Sequence, residues 1–263
     1  MFGDGCPEVE RMPRFKVGVQ IRPQHCSMSQ LREAWRAAEE LGVDSVWNWD
    51  HFYPLYGDPD GAHYECWTML AAIAADTSRV RFGPLVSCHG YRNPDLVAAM
   101  AGTIDQLSGG RLVVGLGAGW FERDYTEFGY EFGTAPGRLH GLEAATRRIQ
   151  QRLPRLNPPA PAIPLLIGGG GEKVTLRIVA ERADMWNDFG SPERFAHKNA
   201  VLDQWCAKVG RDPAEIERTT MIGPDEIDGH EAYLAAGATH IILGWDPPFD
   251  VKDVQRLLDH AKD

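Results

Sequence analysis

The sequence lacks paired cysteines: Cys6, Cys26, Cys66, Cys88 and Cys206 are odd in number and scattered. This excludes a CxxC redox centre, a cysteine-bound zinc and a disulfide framework, and points to a reducing cytoplasm. The nine histidines include no His-x-His after the first expected strand and no His-Glu-x-x-His helix. A metal-dependent hydrolase is disfavoured on that ground, and no metal is expected. Basic charge is also short. A formal net charge of -10 argues against nucleic acid as a partner, because phosphate backbones are bound through basic stripes. No apolar run is long enough to span a bilayer, so no membrane partner is expected. The N-terminus, with Asp4, Glu8 and Glu10, lacks the apolar region of a secretory signal. No linker, repeat or low-complexity tract divides the chain. Residues 1–14 read as a leader, with Met12 an alternative start, ahead of one domain over 15–263.

From Phe15 onward, short β-branched or apolar runs alternate with stripes of helical period. Candidate strands cover 16–21, 45–49, 80–86, 112–116, 165–168, 185–187, 218–222 and 240–244. The first helix is marked by a Ser27/Gln30 capping box, an apolar face of Leu31, Trp35, Ala38 and Leu41, and a stop at Gly42. The third starts at Pro94 and stops at Ser108-Gly109-Gly110. Eight alternations of roughly 30 residues fit a single (β/α)8 TIM barrel, with a doubly wound open sheet as the alternative. In a barrel the chemistry lies on the loops that follow strands, here 51–64 and 117–137, whereas the proline-rich 154–164 lies at the opposite end.

Gly168-Gly169-Gly170-Gly171 follows the apolar segment 163–167 and precedes a helical pattern over 172–182. Without Cβ atoms the run can expose successive N–H groups to an anion at the helix start. It lacks the Lys-Ser/Thr of a P-loop, and a plain strand-to-helix turn reads equally well. Asp50-His51 ends the second strand, where a histidine can exchange a proton near neutral pH; a capping aspartate beside a packing histidine is the alternative. Cys88-His89 follows the third strand, but adjacent residues seldom form a nucleophile and base. After the fourth strand, the glycines of Gly115-Leu116-Gly117-Ala118-Gly119-Trp120 permit close backbone approach, and Trp120 offers either a flat pocket wall or a core side chain.

Several segments taken in order resemble the bacterial luciferase-like family, in particular its coenzyme F420-dependent oxidoreductases. They are 39–47, Asp50-His51-Phe52, Tyr91-Arg92-Asn93-Pro94, 105–112, 115–120, 167–171 and 183–187. The resemblance implies a single barrel, usually a homodimer, that holds a deazaflavin or flavin at its mouth and acts on a small-molecule substrate. It implies phosphate contacts at Gly168, Gly169, Gly170, Gly171, Glu172 and Lys173, with Lys173 offsetting the coenzyme's charge. His51 is expected beside the ring as a contact or proton handler, and Asp50 at the ring's polar edge. Gly119 and Trp120 are expected in the wall, with Trp49 and Phe52. A non-prolyl cis peptide is expected behind the ring at about Leu85, Val86 and Ser87. The implied function is hydride transfer between F420 and a small organic molecule. The alternatives are an FMN-dependent monooxygenase or a non-catalytic flavin-binding protein. The chain departs from the pattern at Trp120, which matches the acidic glutamate of the sugar-phosphate dehydrogenases, and at Leu55, which matches their tryptophan. It is also shorter than typical members, with trimmed insertions.

Overall fold

A computed structural model describes residues 13–262, so all but the end of the expected leader lies outside the described residues. Strands and helices alternate as β1 (Lys16–Ile21), α1 (Met28–Leu41), β2 (Ser45–Asn48), α2 (Cys66–Asp76), β3 (Arg81–Pro84), β4 (Ser87–Cys88), α3 (Pro94–Ser108) and β5 (Val114–Gly117). Two helices follow, α4 (Glu122–Glu127) and α5 (Ala135–Arg152). The chain continues as β6 (Leu165–Gly168), α6 (Thr175–Arg182), β7 (Met185–Phe189), α7 (Pro192–Val209), β8 (Glu217–Ile222), α8 (His230–Ala235), β9 (His240–Trp245) and α9 (Val251–Lys262).

All strand pairs are parallel, and β9 returns to β1 with Lys16 opposite His240. The ring closes where Phe82 bridges to Leu112, through Phe82 N to Arg111 O at 3.1 Å and Val113 N to Phe82 O at 2.8 Å. The result is a TIM-like barrel. Among the described residues nine strands fill its wall, one more than the sequence pattern indicates, because the segment 80–86 is broken. β3 ends within it at Pro84 and β4 begins just beyond it at Ser87, flanking a cis peptide between Leu85 and Val86. Neighbours hold the break: Leu85 N donates to Asn48 O at 2.6 Å, and the Gln20 amide donates to Leu85 O at 2.7 Å.

Parallel strands bury both faces, which explains their nearly unbroken apolar runs. One core layer, including Trp35, Trp67, Phe82 and Trp186, lies between strands and helices. A smaller cluster of Trp47, Leu85, Val113, Leu166, Met185 and Ile242 fills the barrel, with half-buried Val86 on top. The capping box of α1 and the left-handed Gly42 stop are present, as are Pro94 in the first turn of α3 and Gly109 after its end. Arg111, from the 105–112 motif, fixes the floor loops by donating to the carbonyls of Ala74, Thr77, Val80 and Ser108 and to Thr77 Oγ1.

The floor of the barrel holds a closed polar network. Lys16 Nζ and His240 Nδ1 both meet the Glu217 carboxylate, at 2.8 and 2.7 Å. His240 Nε2 lies 2.8 Å from Ser45 Oγ, which accepts the Trp47 indole N–H at 2.7 Å. Burial alone would raise the Glu217 carboxyl, but the bonds from His240 and Lys16 prevail and hold it at about 2.

Candidate active site at the barrel mouth

The end of β2 turns outward through Trp49, Asp50 and His51. Asp50 does not face the mouth. Its fully buried carboxylate accepts from Ser87 Oγ at 2.6 Å and from Arg92 at 2.6 and 3.0 Å, and Arg92 also reaches Glu65. The ring contact expected of Asp50 gives way to a clamp between β2, β4 and the entry to α3, because a buried guanidinium requires a partner charge. Ser87 belongs to the same clamp.

His51 is 13% exposed at its side chain, and Nδ1 lies 2.7 Å from Oδ2 of Asp124. Its ring is bordered edge-on by Trp49, Trp120 and Phe121, at centroid distances of 5.8, 5.8 and 5.6 Å. Nε2 has no hydrogen-bond partner among the described residues. Asp124 is completely buried and also accepts from Tyr91 OH at 2.9 Å and Phe52 N at 3.0 Å. The sequence reading missed this aspartate. Its only local signal was a run of acids, Glu122, Asp124 and Glu127, in the long loop after the fourth strand. Nearby, the Trp49 indole donates to His63 Nε2 at 2.9 Å, and burial, then the neighbouring His51, pushes His63 down to about 4.

Trp120 is 65% exposed and lies 5.4 Å, centroid to centroid, from Phe121, forming apolar surface at the rim. Trp49, by contrast, is buried. Cys88 lies 2.9 Å from Tyr125 OH, and burial pushes its thiol up to about 11, which removes it as a nucleophile at neutral pH. Gly119, at φ +80°, fits against Tyr125 OH and Cys88 Sγ, where a side chain would collide.

The glycine turn differs from the simple cradle. A Cβ on Gly117 or Gly168 would sit 2.6 or 2.9 Å from a Val86 methyl, and Gly115 is equally intolerant because it abuts Pro84 O. Gly168 thus belongs to a slot that admits Val86. Gly169, at φ +113°, makes the turn, and Gly170 lies against the Asp188–Arg194 pair. The helix does not begin at Glu172: residues 172–174 form a turn, Leu176 N donates back to Gly171 O at 3.0 Å, and α6 starts at Thr175. The Glu172 carboxylate is held by Lys198 and His197 of α7, at 2.6 and 2.9 Å, while Lys173 is exposed. The cation beside the glycines is one the sequence reading passed over. Arg194 is 45% exposed at its side chain and is anchored through Nη2 to Asp188 and Nε to Phe189 O.

Two features of this end suit a bound planar coenzyme with a phosphate tail. The glycine turn leaves backbone open beside a guanidinium. Gln20 Oε1, buried at the end of β1, has no hydrogen-bond partner among the described residues. A cavity of about 840 Å³ lies at the opposite end, between Pro164, Met185, Arg218 and Thr239, away from His51. Among the described residues no helix is long and apolar enough to cross a membrane.

The pattern of the luciferase-like monooxygenase family matches residues 14–236. The chain is 28% identical over 245 residues to an uncharacterised protein of Mycobacterium tuberculosis, an alignment covering 81% of this chain and 84% of that one. It is 32% identical over 139 residues to the F420-dependent glucose-6-phosphate dehydrogenase of Amycolatopsis mediterranei, covering 52% of this chain and 41% of that enzyme. Among solved structures, an F420-dependent secondary alcohol dehydrogenase with an F420-acetone adduct superposes with a TM-score of 0.84 at 19% identity, over 95% of this chain and all of the other. The tetrahydromethanopterin reductase of Methanopyrus kandleri gives 0.75 at 16%, covering 94% and 98%. These two likenesses concern the fold. The family pattern spans most of the chain and agrees with the barrel, and the chain belongs to the luciferase-like family.

Proposed function

We propose that the chain is an F420-dependent oxidoreductase acting on a small, uncharged alcohol or carbonyl compound. The observation that carries this reading is His51, fixed by Asp124 on one side and unpartnered at Nε2 on the other, where a barrel strand opens to the mouth. Relatives named as F420 enzymes support the coenzyme. When bound, the deazaflavin supplies hydride exchange at its ring.

Gly169, Gly170 and Arg194 hold the phosphate in this reading, with Lys173 adding charge from the turn. Gln20 offers a partner to the ring's polar atoms, and Val86 supports its face. His51 handles the substrate proton. The substrate class follows from the surroundings of His51. Arg92 is committed to Asp50, Arg123 to Asp60 and Pro59 O, and Arg138 to the carbonyls of Gly119 and Phe132. No unpaired guanidinium remains there for a substrate phosphate among the described residues, and Trp120 supplies an apolar wall.

Titration of the purified protein with F420 and, separately, FMN tests the proposal, followed by mixing the loaded protein with short secondary alcohols and ketones. Micromolar F420 affinity with turnover is expected. Preferential FMN binding would move the chain to the monooxygenase reading, and F420 binding without turnover of any acceptor would leave a binding protein. The homodimer is part of the proposal and is checked by sedimentation.

A further inference from the structure

We infer that Asp124 is the positioning residue of the mouth, holding His51 as the Nδ1–H tautomer so that Nε2 meets the substrate as a bare base. Asp124 lies on α4, seventy-three positions beyond His51, and its side chain is completely buried. Its oxygens receive three donors: His51 Nδ1–H and Tyr91 O–H at Oδ2, and Phe52 N–H at Oδ1.

Each of these contacts bears on one property of the imidazole. A carboxylate that is already the acceptor of a tyrosine O–H and a backbone N–H has no proton to offer Nδ1, so Nδ1 must be the donor. Phe52 N–H ties the carboxylate to the residue after His51, which fixes the backbone and side chain of the pair together. Tyr91 cannot displace the histidine. Burial, then Cys88 and Asp124, raises its hydroxyl well above the ordinary range, and it stays protonated as a donor. The aromatic edges of Trp49, Trp120 and Phe121 oppose rotation of the ring. Nε2 is therefore the one nitrogen left to act, and in the neutral ring it carries the free lone pair.

The use of this arrangement rests on the oxidoreductase reading. When an alcohol is oxidised, its O–H bond breaks and an N–H bond forms at Nε2. The positive charge that develops on the imidazole is met by the Asp124 carboxylate at 2.7 Å. In the reverse direction the same nitrogen returns the proton to a carbonyl oxygen. Without the carboxylate, the ring can carry its proton on Nε2, where a base is required, and the imidazolium that forms has no anion to meet it.

The test reads the tautomer directly. Nitrogen-15 NMR of the coenzyme-free protein, with the His51 signals assigned from their loss in His51→Gln, is expected to show protonated Nδ1 and bare Nε2. Asp124→Asn is expected to shift His51 toward the other tautomer. It should also lower kcat about 100-fold or more, with KM and F420 affinity within about twofold of wild type. Tyr91→Phe removes a donor but leaves the carboxylate, so it should preserve the tautomer; this decides the matter if the asparagine variant does not fold. A proton found on Nε2 in the wild type, an unchanged tautomer in Asp124→Asn, or an altered one in Tyr91→Phe would overturn the inference. Absence of F420 binding in the wild type would instead sink the oxidoreductase reading and leave the tautomer result intact.

Discussion

The barrel carries a histidine–carboxylate pair at each end, and the two are finished differently. At the floor, His240 spends Nδ1 on Glu217 and Nε2 on Ser45, and Glu217 and Ser45 have further partners in Lys16 and Trp47. At the mouth, His51 spends only Nδ1, on Asp124. The floor has the order of a nucleophile, base and acid, yet Ser45 is 2% exposed and already accepts a donor. Hydrogen-bond completeness, more than residue type, separates a brace from a reactive group.

Substitutions at the two ends and between them sharpen or break that contrast. His51→Ala should reduce hydride transfer by about 10³-fold, roughly 4 kcal/mol on the barrier, while stability changes little. A comparable loss of stability would mean that the mouth histidine is also a brace. Glu217→Ala should do the reverse, costing about 3 kcal/mol chiefly by leaving buried His240, and with it the exposed Lys16, without their anion, with F420 affinity of the folded protein preserved. The same carboxylate gives a pH signature. It sits at about 2 when folded against 4.5 ordinarily, so its stabilisation is complete above about 4.5 and is lost as pH falls toward 2. Thermal melts of Glu217→Gln should lack that slope. Between the two ends, Gly117→Ala should cost about 1–3 kcal/mol through its clash with Val86, and adding Val86→Ala should recover most of it. Trp120→Ala should shift stability by less than about 0.5 kcal/mol, because the ring is exposed, yet raise KM for an apolar substrate.

The alternation of strands and helices was legible because each parallel strand is a mostly apolar run bounded by turn residues, and because end signals such as Ser27 and Pro94 act within a few positions. The break in the third strand was legible only through the family resemblance, which placed a cis peptide at about 85–87, where one is found between Leu85 and Val86. The segment 80–86 reads as one strand despite Gly83 and Pro84, and its division depends on Gln20 and Asn48 from other strands. His51 could be picked out by its place at a strand end. Asp124 could not, since no sequence spacing relates it to His51 and only the seating of α4 brings it beneath the ring. Glu172 and Lys173 looked like a helix start because acids favour that position, but the turn after Gly171 delays the helix to Thr175 and directs Glu172 to α7. Arg194 gave no signal among the other arginines of the chain.

Val86 caps the interior cluster from a slot bounded by Gly117 and Gly168 on neighbouring strands. The slot is tight sideways and filled from below, so added volume at this position has only one direction to go. A graded series at Val86, from Ala through Ile to Phe, would act as a depth gauge, raising the platform of the mouth stepwise and registering how far down a flat ligand rests.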